Sequence, residues 1–316
     1  MAGSVVLTGA NGSAGLHAAE HLVKAYPEYT AILTVRSTAD NDVNTNALRS
    51  IISKFPDSKV SIHEVDLADL AAVHRFTTTL ADDIANGKCP PIKAIICNAF
   101  YWNLVSDPEL TVDGLDKTMQ VSFVSHALCV LRLIDKFDQI DGRVELISSV
   151  AHFRRKTPMS QYIPGVPSNL DELVHPHVDN ERRSHGMLRY SNSKLDPKLS
   201  HITAVAINPG DSADSRAFRT NTPTWIRILF HYVLLPLRPI YRRLVDPTWR
   251  PSAEAGVDMV ELAVNKQYKN ERGYYTLLER TEPDEIVKDE DVQDRIWKEA
   301  AKWAGVDKGA LAAAFE

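Results

Sequence analysis

Short, nearly continuous apolar runs recur along the first two-thirds of the chain, at residues 4–8, 30–35, 60–65, 94–97, 143–147 and 201–208. Runs with little polar alternation are what strands buried on both faces require. Between them, residues 13–25, 47–54, 69–83 and 112–134 carry the apolar spacing of amphipathic helices. Strand and helix in strict alternation predict a three-layer α/β/α fold around a doubly wound parallel sheet, the Rossmann arrangement. After residue 208 the pattern gives an apolar segment, a helix at 252–265, a last strand at 274–278 and an end helix over about 289–304. No repeat, linker or low-complexity block divides residues 1–316, so one domain is expected. Its longest irregular piece is the loop 151–186, placed where a substrate pocket would be closed.

Composition narrows the function classes. With 36 basic and 41 acidic side chains the formal charge is −5, which leaves no nucleic-acid footprint. Cys89, Cys97 and Cys129 are spaced for neither a zinc site nor a redox pair and read as buried thiols of a reducing, cytoplasmic compartment. The start carries no basic flank before its apolar run, so no secretion signal is expected. Residues 225–240 are apolar apart from Arg227, His231 and Arg238, and Pro236 and Pro239 interrupt them. They are too short and too charged to span a bilayer. A lid over the substrate, at about 211–250, is the leading reading of this segment, and a peripheral membrane contact is the alternative. His175, His177 and His185 read as polar loop, and no metal site is expected.

The candidate chemistry lies at the ends of the strands. The first strand runs into Thr8-Gly9-Ala10-Asn11-Gly12-Ser13-Ala14-Gly15-Leu16 and then a helix, the context of a dinucleotide phosphate loop. Gly9, Asn11, Gly12, Ser13, Gly15 and Leu16 are therefore assigned to cofactor binding. Arg36 follows strand two, where an acidic residue would bind the 2′-hydroxyl of NAD; a guanidinium there suits a 2′-phosphate, so NADP(H) is the expected cofactor. Asp66 ends strand three and is placed for the adenine amino group. Asn98 follows strand four and is placed to hold the turn beneath the adenosine half. Both residue types also form local turns. Strand five ends in Ser148-Ser149, and downstream stands Tyr190-Ser191-Asn192-Ser193-Lys194. In a helix that spacing puts phenol and ammonium on one face, and a phenol needs a nearby cation to titrate toward neutrality.

These pieces, with Asn208-Pro209-Gly210, make the chain resemble the short-chain dehydrogenase/reductase family over nearly its whole length. Residues 190–195 and 273–278 look most like its fungal retinol-dehydrogenase-like members. The resemblance implies that Tyr190 exchanges the proton with the substrate oxygen, Ser149 polarises that oxygen, and Lys194 holds the nicotinamide ribose and lowers the Tyr190 pKa. It also implies that Pro209, Gly210 and Ser212 or Ser215 support the nicotinamide. The expected activity is NADPH-dependent reduction of a ketone or aldehyde on a medium-sized apolar substrate, or the reverse oxidation, as a tailoring step in fungal secondary metabolism.

Three departures from the family pattern stand out. Ser13 takes the place of a usual glycine, which leaves glycines three residues apart as in the epimerase-like branch. Ser122 aligns with the asparagine of the family's proton relay. Only residues 195–200 separate Lys194 from the next strand, and Pro197 interrupts them, so the helix after Tyr-x-x-x-Lys is shortened. Losing four or five large buried side chains costs on the order of several kcal/mol, and a weakened homodimer is expected. A nucleotide-binding regulator with impaired turnover and an epimerase- or dehydratase-like enzyme are the rival readings.

Overall fold

The protein's structure, a computed structural model, describes residues 3–155, 159–178, 180–194, 203–212 and 214–306. β1 (Ser4–Leu7) passes through the glycine-rich turn into α1 (Ser13–Ala25), and β2 (Thr30–Val35), α2 (Val43–Ile52), β3 (Lys59–Glu64) and α3 (Leu70–Ala85) repeat the unit. After β4 (Ile92–Cys97) the chain enters α4 (Lys117–Met119), crosses a π-helical turn at Gln120–Val124 and continues as α5 (Ser125–Leu133). β5 (Arg143–Ile147), α6 (Arg182–Asn192) and β6 (Thr203–Asn208) follow, then α7 (Thr224–Ile228), α8 (Arg238–Leu244) and α9 (Ser252–Val264). The hairpin β7 (Gly273–Thr276) and β8 (Glu279–Thr281) leads to α10 (Glu290–Trp303).

The eight strands form one sheet in the order β3-β2-β1-β4-β5-β6-β7-β8, parallel except for β8. The order reverses between β1 and β4, and a doubly wound sheet opens its ligand crevice at that switch point, beyond the carboxyl ends of the strands. One face packs Val6, Ile95 and Val144 against Phe76, Leu128 and Trp297 of α3, α5 and α10. The other packs Val5, Leu7 and Ile96 against Ala18, Leu22, Met259 and Leu262 of α1 and α9. Both faces of the central strands are thus dry, which is why their sequence does not alternate.

The sequence pattern and the structure differ where polar detail overrides apolar period. α2 begins at Val43, earlier than the apolar spacing indicated, because the Asp42 carboxylate accepts from the Thr45 backbone N–H at 2.7 Å and caps the helix there. β8 escaped the pattern, being three polar residues paired antiparallel to β7. The apolar stretch after Pro223 is broken into α7, a π-helical turn at Leu229–Leu234, and α8, with a proline in the first turn of α8. α6 starts at Arg182 and ends at Asn192, so the helix bearing Tyr190 stops before Lys194. Residues 195–200, with Pro197, lie outside the described residues. α10 brings Trp297 into the core on the α5 side of the sheet, and Ser122, His126, Leu146, Ser193 and Trp297 bound a cavity there.

Candidate active site

The glycine-rich loop is built by the strands beneath it. Thr8 Oγ1 accepts from the backbone N–H of Asn98 at 2.9 Å and of Ala99 at 3.0 Å, tying the ends of β1 and β4 together. The Asn98 side-chain amide donates back to the Thr8 carbonyl at 2.8 Å and the Gly9 carbonyl at 3.2 Å. The backbone needs glycine here: Gly9 sits at φ +63°, and a Cβ on Gly15 would fall 2.3 Å from the Gly9 carbonyl oxygen. α1 then begins at Ser13, with Gly12 at its N-cap and no side-chain cap. The first-turn N–H groups of α1 face the crevice with the positive end of the helix dipole, a setting that favours a phosphate.

Around this loop stand the other residues assigned to the cofactor. Leu16 packs its side chain against the α1 side of the sheet. The Asn11 amide donates to Thr45 Oγ1 at 2.9 Å, joining the loop to the start of α2. Arg36 is exposed just beyond β2, and its charge helps hold the Asp42 carboxylate below the usual range, after the hydrogen bonds from Thr45. Asp66 accepts from the Ala68 N–H at 2.9 Å, a turn-forming contact.

Arg216 escaped the sequence reading. Its backbone N–H donates to Ser13 Oγ at 2.9 Å, and its guanidinium donates to the Asn11 carbonyl. A cation from the segment after β6 therefore lies across the phosphate loop. Burial lowers its pKa, against the opposing pull of Asp42. No local motif announces it, because its partners are 203 and 205 residues away.

At the reaction end, β5 delivers Ser149 in extended backbone, and a hydrogen bond joins Ser149 to the Tyr190 phenol. Tyr190 is enclosed by Phe100, whose ring lies 5.7 Å away, and by Trp102 at 5.5 Å. Trp102 is fixed by its indole N–H donating to the Ala217 carbonyl at 3.1 Å, and Phe218 packs edge-on against it at 5.2 Å. These aromatics were not singled out beforehand, since Phe100 and Trp102 follow β4 while Phe218 follows β6.

The pKa of the Tyr190 phenol is raised in this structure and does not approach neutrality. Burial pushes the phenol up to about 12, the Ser149 hydrogen bond pulls it down, and the Asp211 carboxylate adds to the rise. The Lys194 ammonium lies 5.6 Å from the centre of the Tyr190 ring and donates to the Ile147 carbonyl at 2.8 Å. α6 ends at Asn192, so Lys194 leaves in a turn, its N–H bonded to the Ser191 carbonyl, and its stem runs back to the end of β5. Phenol, ammonium and Ser149 nonetheless meet at one place, at the carboxyl ends of β4 and β5. A buried pair of Arg189 and Asp116, 3.5 Å apart, fixes α6 against α4; burial outweighs Arg189 and lifts the Asp116 carboxyl to about 6.

The turn after β6 closes the site. The Asn208 carboxamide oxygen accepts from the Gly210 N–H at 3.1 Å, while its Nδ2 is buried with no hydrogen-bond partner among the described residues. Arg250 donates to the Pro209 carbonyl at 2.6 Å and pairs with Asp258 at 2.7 Å. Ser212 forms a β-bridge with Arg250, and Ser215 spends its oxygen on the Ala217 N–H. Ser122 sits in the π-helical turn, where its hydroxyl exchanges hydrogen bonds with the backbone of Tyr101. Its carbonyl faces His126 Nδ1 at 3.3 Å. Among the described residues no group of three or more His, Cys, Asp and Glu is arranged to hold a metal ion.

A reversing parallel sheet, an uncapped phosphate loop and a serine, tyrosine and lysine gathered beside it define a nucleotide-dependent oxidoreductase. Residues 4–163 match the short chain dehydrogenase family, and the chain belongs to it. Residues 216–312, beginning at Arg216, match the AcuH dehydrogenase domain. The short-chain dehydrogenase iccH of Talaromyces variabilis is 27% identical, with 97% of each chain covered. That alignment runs over 361 positions, more than the 316 residues here, so iccH carries residues that this chain lacks. Among solved structures, an uncharacterised protein from Mycobacterium paratuberculosis superimposes with a TM-score of 0.62 at 20% identity, covering 96% of this chain and 94% of its own. The angucycline C-6 ketoreductase LanV with bound NADP gives 0.56 at 14% identity, covering 87% and 93%. The family's members are oxidoreductases that use NAD(P)(H).

Proposed function

We propose that the protein is an NADPH-dependent reductase of ketones or aldehydes on a medium-sized apolar substrate, with Ser149, Tyr190 and Lys194 as its catalytic residues. The observation that carries this reading is the meeting of those three side chains at the carboxyl edge of the sheet, beside the phosphate loop. Bound NADPH would supply the hydride to the carbonyl carbon. A Tyr190 phenol with its pKa at about 12 is protonated at neutral pH and holds a proton to give to the carbonyl oxygen. Ser149 hydrogen-bonds the same phenol and would steady that oxygen as its charge develops. Lys194, anchored on the Ile147 carbonyl, would hold the nicotinamide ribose.

The cofactor's phosphates would be held by the N-terminus of α1 and by Arg216, and the 2′-phosphate by Arg36. The uncapped start of α1, with two arginines around it, fits a ligand as strongly anionic as NADP. Asp66 and Asn98 would serve the adenosine half, and Pro209, Gly210 and Ser212 the nicotinamide half. The lid at 211–250 carries Phe218 and Phe230, whose rings stack at 3.9 Å beside Trp102, and this aromatic wall suits an apolar substrate. The likeness to the fungal short-chain dehydrogenase iccH supports a tailoring step in secondary metabolism. Three free cysteines suit a cytoplasmic setting. A second reading, a nucleotide-binding protein with weak turnover, is favoured by one observation: the Tyr190 pKa stands above its ordinary value.

Titrating the purified chain with NADPH and NADH by fluorescence tests the cofactor reading. NADPH should bind at least about tenfold more tightly, the worth of a charge-assisted contact to one phosphate, and Arg36→Glu should remove that preference. Equal affinity for both cofactors, unchanged by Arg36→Glu, would refute it.

A further inference from the structure

The outer surface of residues 224–245 is what the reductase reading leaves unexplained. α7, the π-helical turn and α8 leave Trp225 54%, Tyr232 71%, Ile240 57% and Leu244 75% exposed, with Ile228 and Leu237 also in solvent. Of α7, only Ile226 is buried. A contiguous apolar surface of this kind marks an interaction site. Its charge is as unusual as its apolarity. Residues 224–245 hold four arginines and no carboxylate, within a protein whose acidic residues outnumber its basic ones. Arg242 is held at 2.8 Å by Glu254 of α9, which docks α8 on the body of the protein; Arg227 and Arg243 remain exposed.

Cationic side chains interleaved with aliphatic residues, a tryptophan and a tyrosine are the chemistry of a surface that lies in a membrane interface. The apolar groups enter the acyl boundary, the aromatic rings sit at the headgroups, and arginines extend to anionic phosphates. None of the described helices is long and apolar enough to cross a bilayer. A second copy of the chain fits this face poorly. A two-fold contact would oppose the same arginines with no carboxylate from the segment between them. The inner side of the segment is continuous with the pocket, since Phe230 stacks on Phe218, and Phe218 reaches Tyr190 through Trp102.

We propose that residues 224–245 form a docking face for membranes bearing anionic lipids, placing the aromatic wall of the Tyr190 pocket against the bilayer surface. An apolar substrate would then enter from the lipid phase. Docking needs neither cofactor nor turnover, so it stands or falls apart from the reductase reading.

The test is co-sedimentation of the full chain with vesicles of phosphatidylcholine and phosphatidylserine in equal parts, compared with phosphatidylcholine alone. Binding should be at least about tenfold stronger to the mixed vesicles and should weaken in high salt, as several basic contacts require. Arg227→Glu with Arg243→Glu should cancel the preference for phosphatidylserine. Tyr232→Ser with Leu244→Ser should weaken binding to the mixed vesicles, and all four exposed positions should leave thermal unfolding and NADPH titration unchanged. Equal sedimentation with both vesicle types, or with neither, would overturn the proposal. So would a dimer, detected by sedimentation equilibrium without lipid, that these substitutions dissociate.

Discussion

Tyr190 sits where burial and a serine pull its pKa in opposite directions, and burial prevails. The phenol is a proton donor over the whole neutral range, so carbonyl reduction should be nearly independent of pH there. The reverse reaction needs the phenolate, and alcohol oxidation should rise about tenfold per pH unit between about pH 7 and 9. A flat oxidation profile in steady-state kinetics would mean that another group takes the proton. Arg216 makes a separate claim. Its contacts are with the loop itself, at Asn11 and Ser13, and not with the end of β2. Arg216→Ala should therefore weaken NADPH and NADH binding alike, by about tenfold, where Arg36→Glu acts on NADPH alone. Fluorescence titration of both cofactors separates the two roles. Thr8 and Asn98 were legible in the sequence because each follows an apolar run, and Tyr190 because of its spacing to Lys194. Arg216 was not, since its neighbours on the loop are brought to it only by the closed sheet.

Elements were legible to the extent that apolar burial alone defines them. α1 and β5 lie where their apolar period placed them, whereas the start of α2 is set by a capping carboxylate and β8 by pairing with β7. The end of α6 is the informative case. The Tyr-x-x-x-Lys spacing predicted both residues on one helix, but the helix stops at Asn192 and Lys194 reaches Ile147 from a turn. β5 carries a second departure. Glu145 is wholly buried in the middle of the sheet, and neither carboxylate oxygen has a hydrogen-bond partner among the described residues. Burial raises its pKa well above the usual 4.5, against the pull of Arg143. A raised folded-state pKa means that the fold favours the protonated acid. That contribution is complete below 4.5 and is lost as pH climbs toward the folded value. Denaturant unfolding should show Glu145→Gln more stable than wild type at about pH 8 but not at about pH 4; a difference independent of pH would contradict this.

At the scale of the molecule, the sheet reverses between β1 and β4 and thereby gathers residues from Thr8 to Arg216 in one crevice. α10 packs beside α5 on one face of the sheet, with a cavity lined by Ser193 and Trp297. The sequence pointed to α10 as a helix but not to the face it covers, because α10 reaches α5 only in three dimensions. The central claim is that Tyr190 donates the proton in an NADPH-dependent carbonyl reduction. It is tested most directly by following NADPH consumption with a panel of aromatic and aliphatic ketones, for wild type and Tyr190→Phe, with cofactor affinity measured on both. The account predicts turnover by the wild type, a loss of about 10²–10⁴-fold in Tyr190→Phe, and the same NADPH affinity in each. Equal turnover by the two proteins, or a wild type that binds NADPH and consumes none with any ketone, would contradict it.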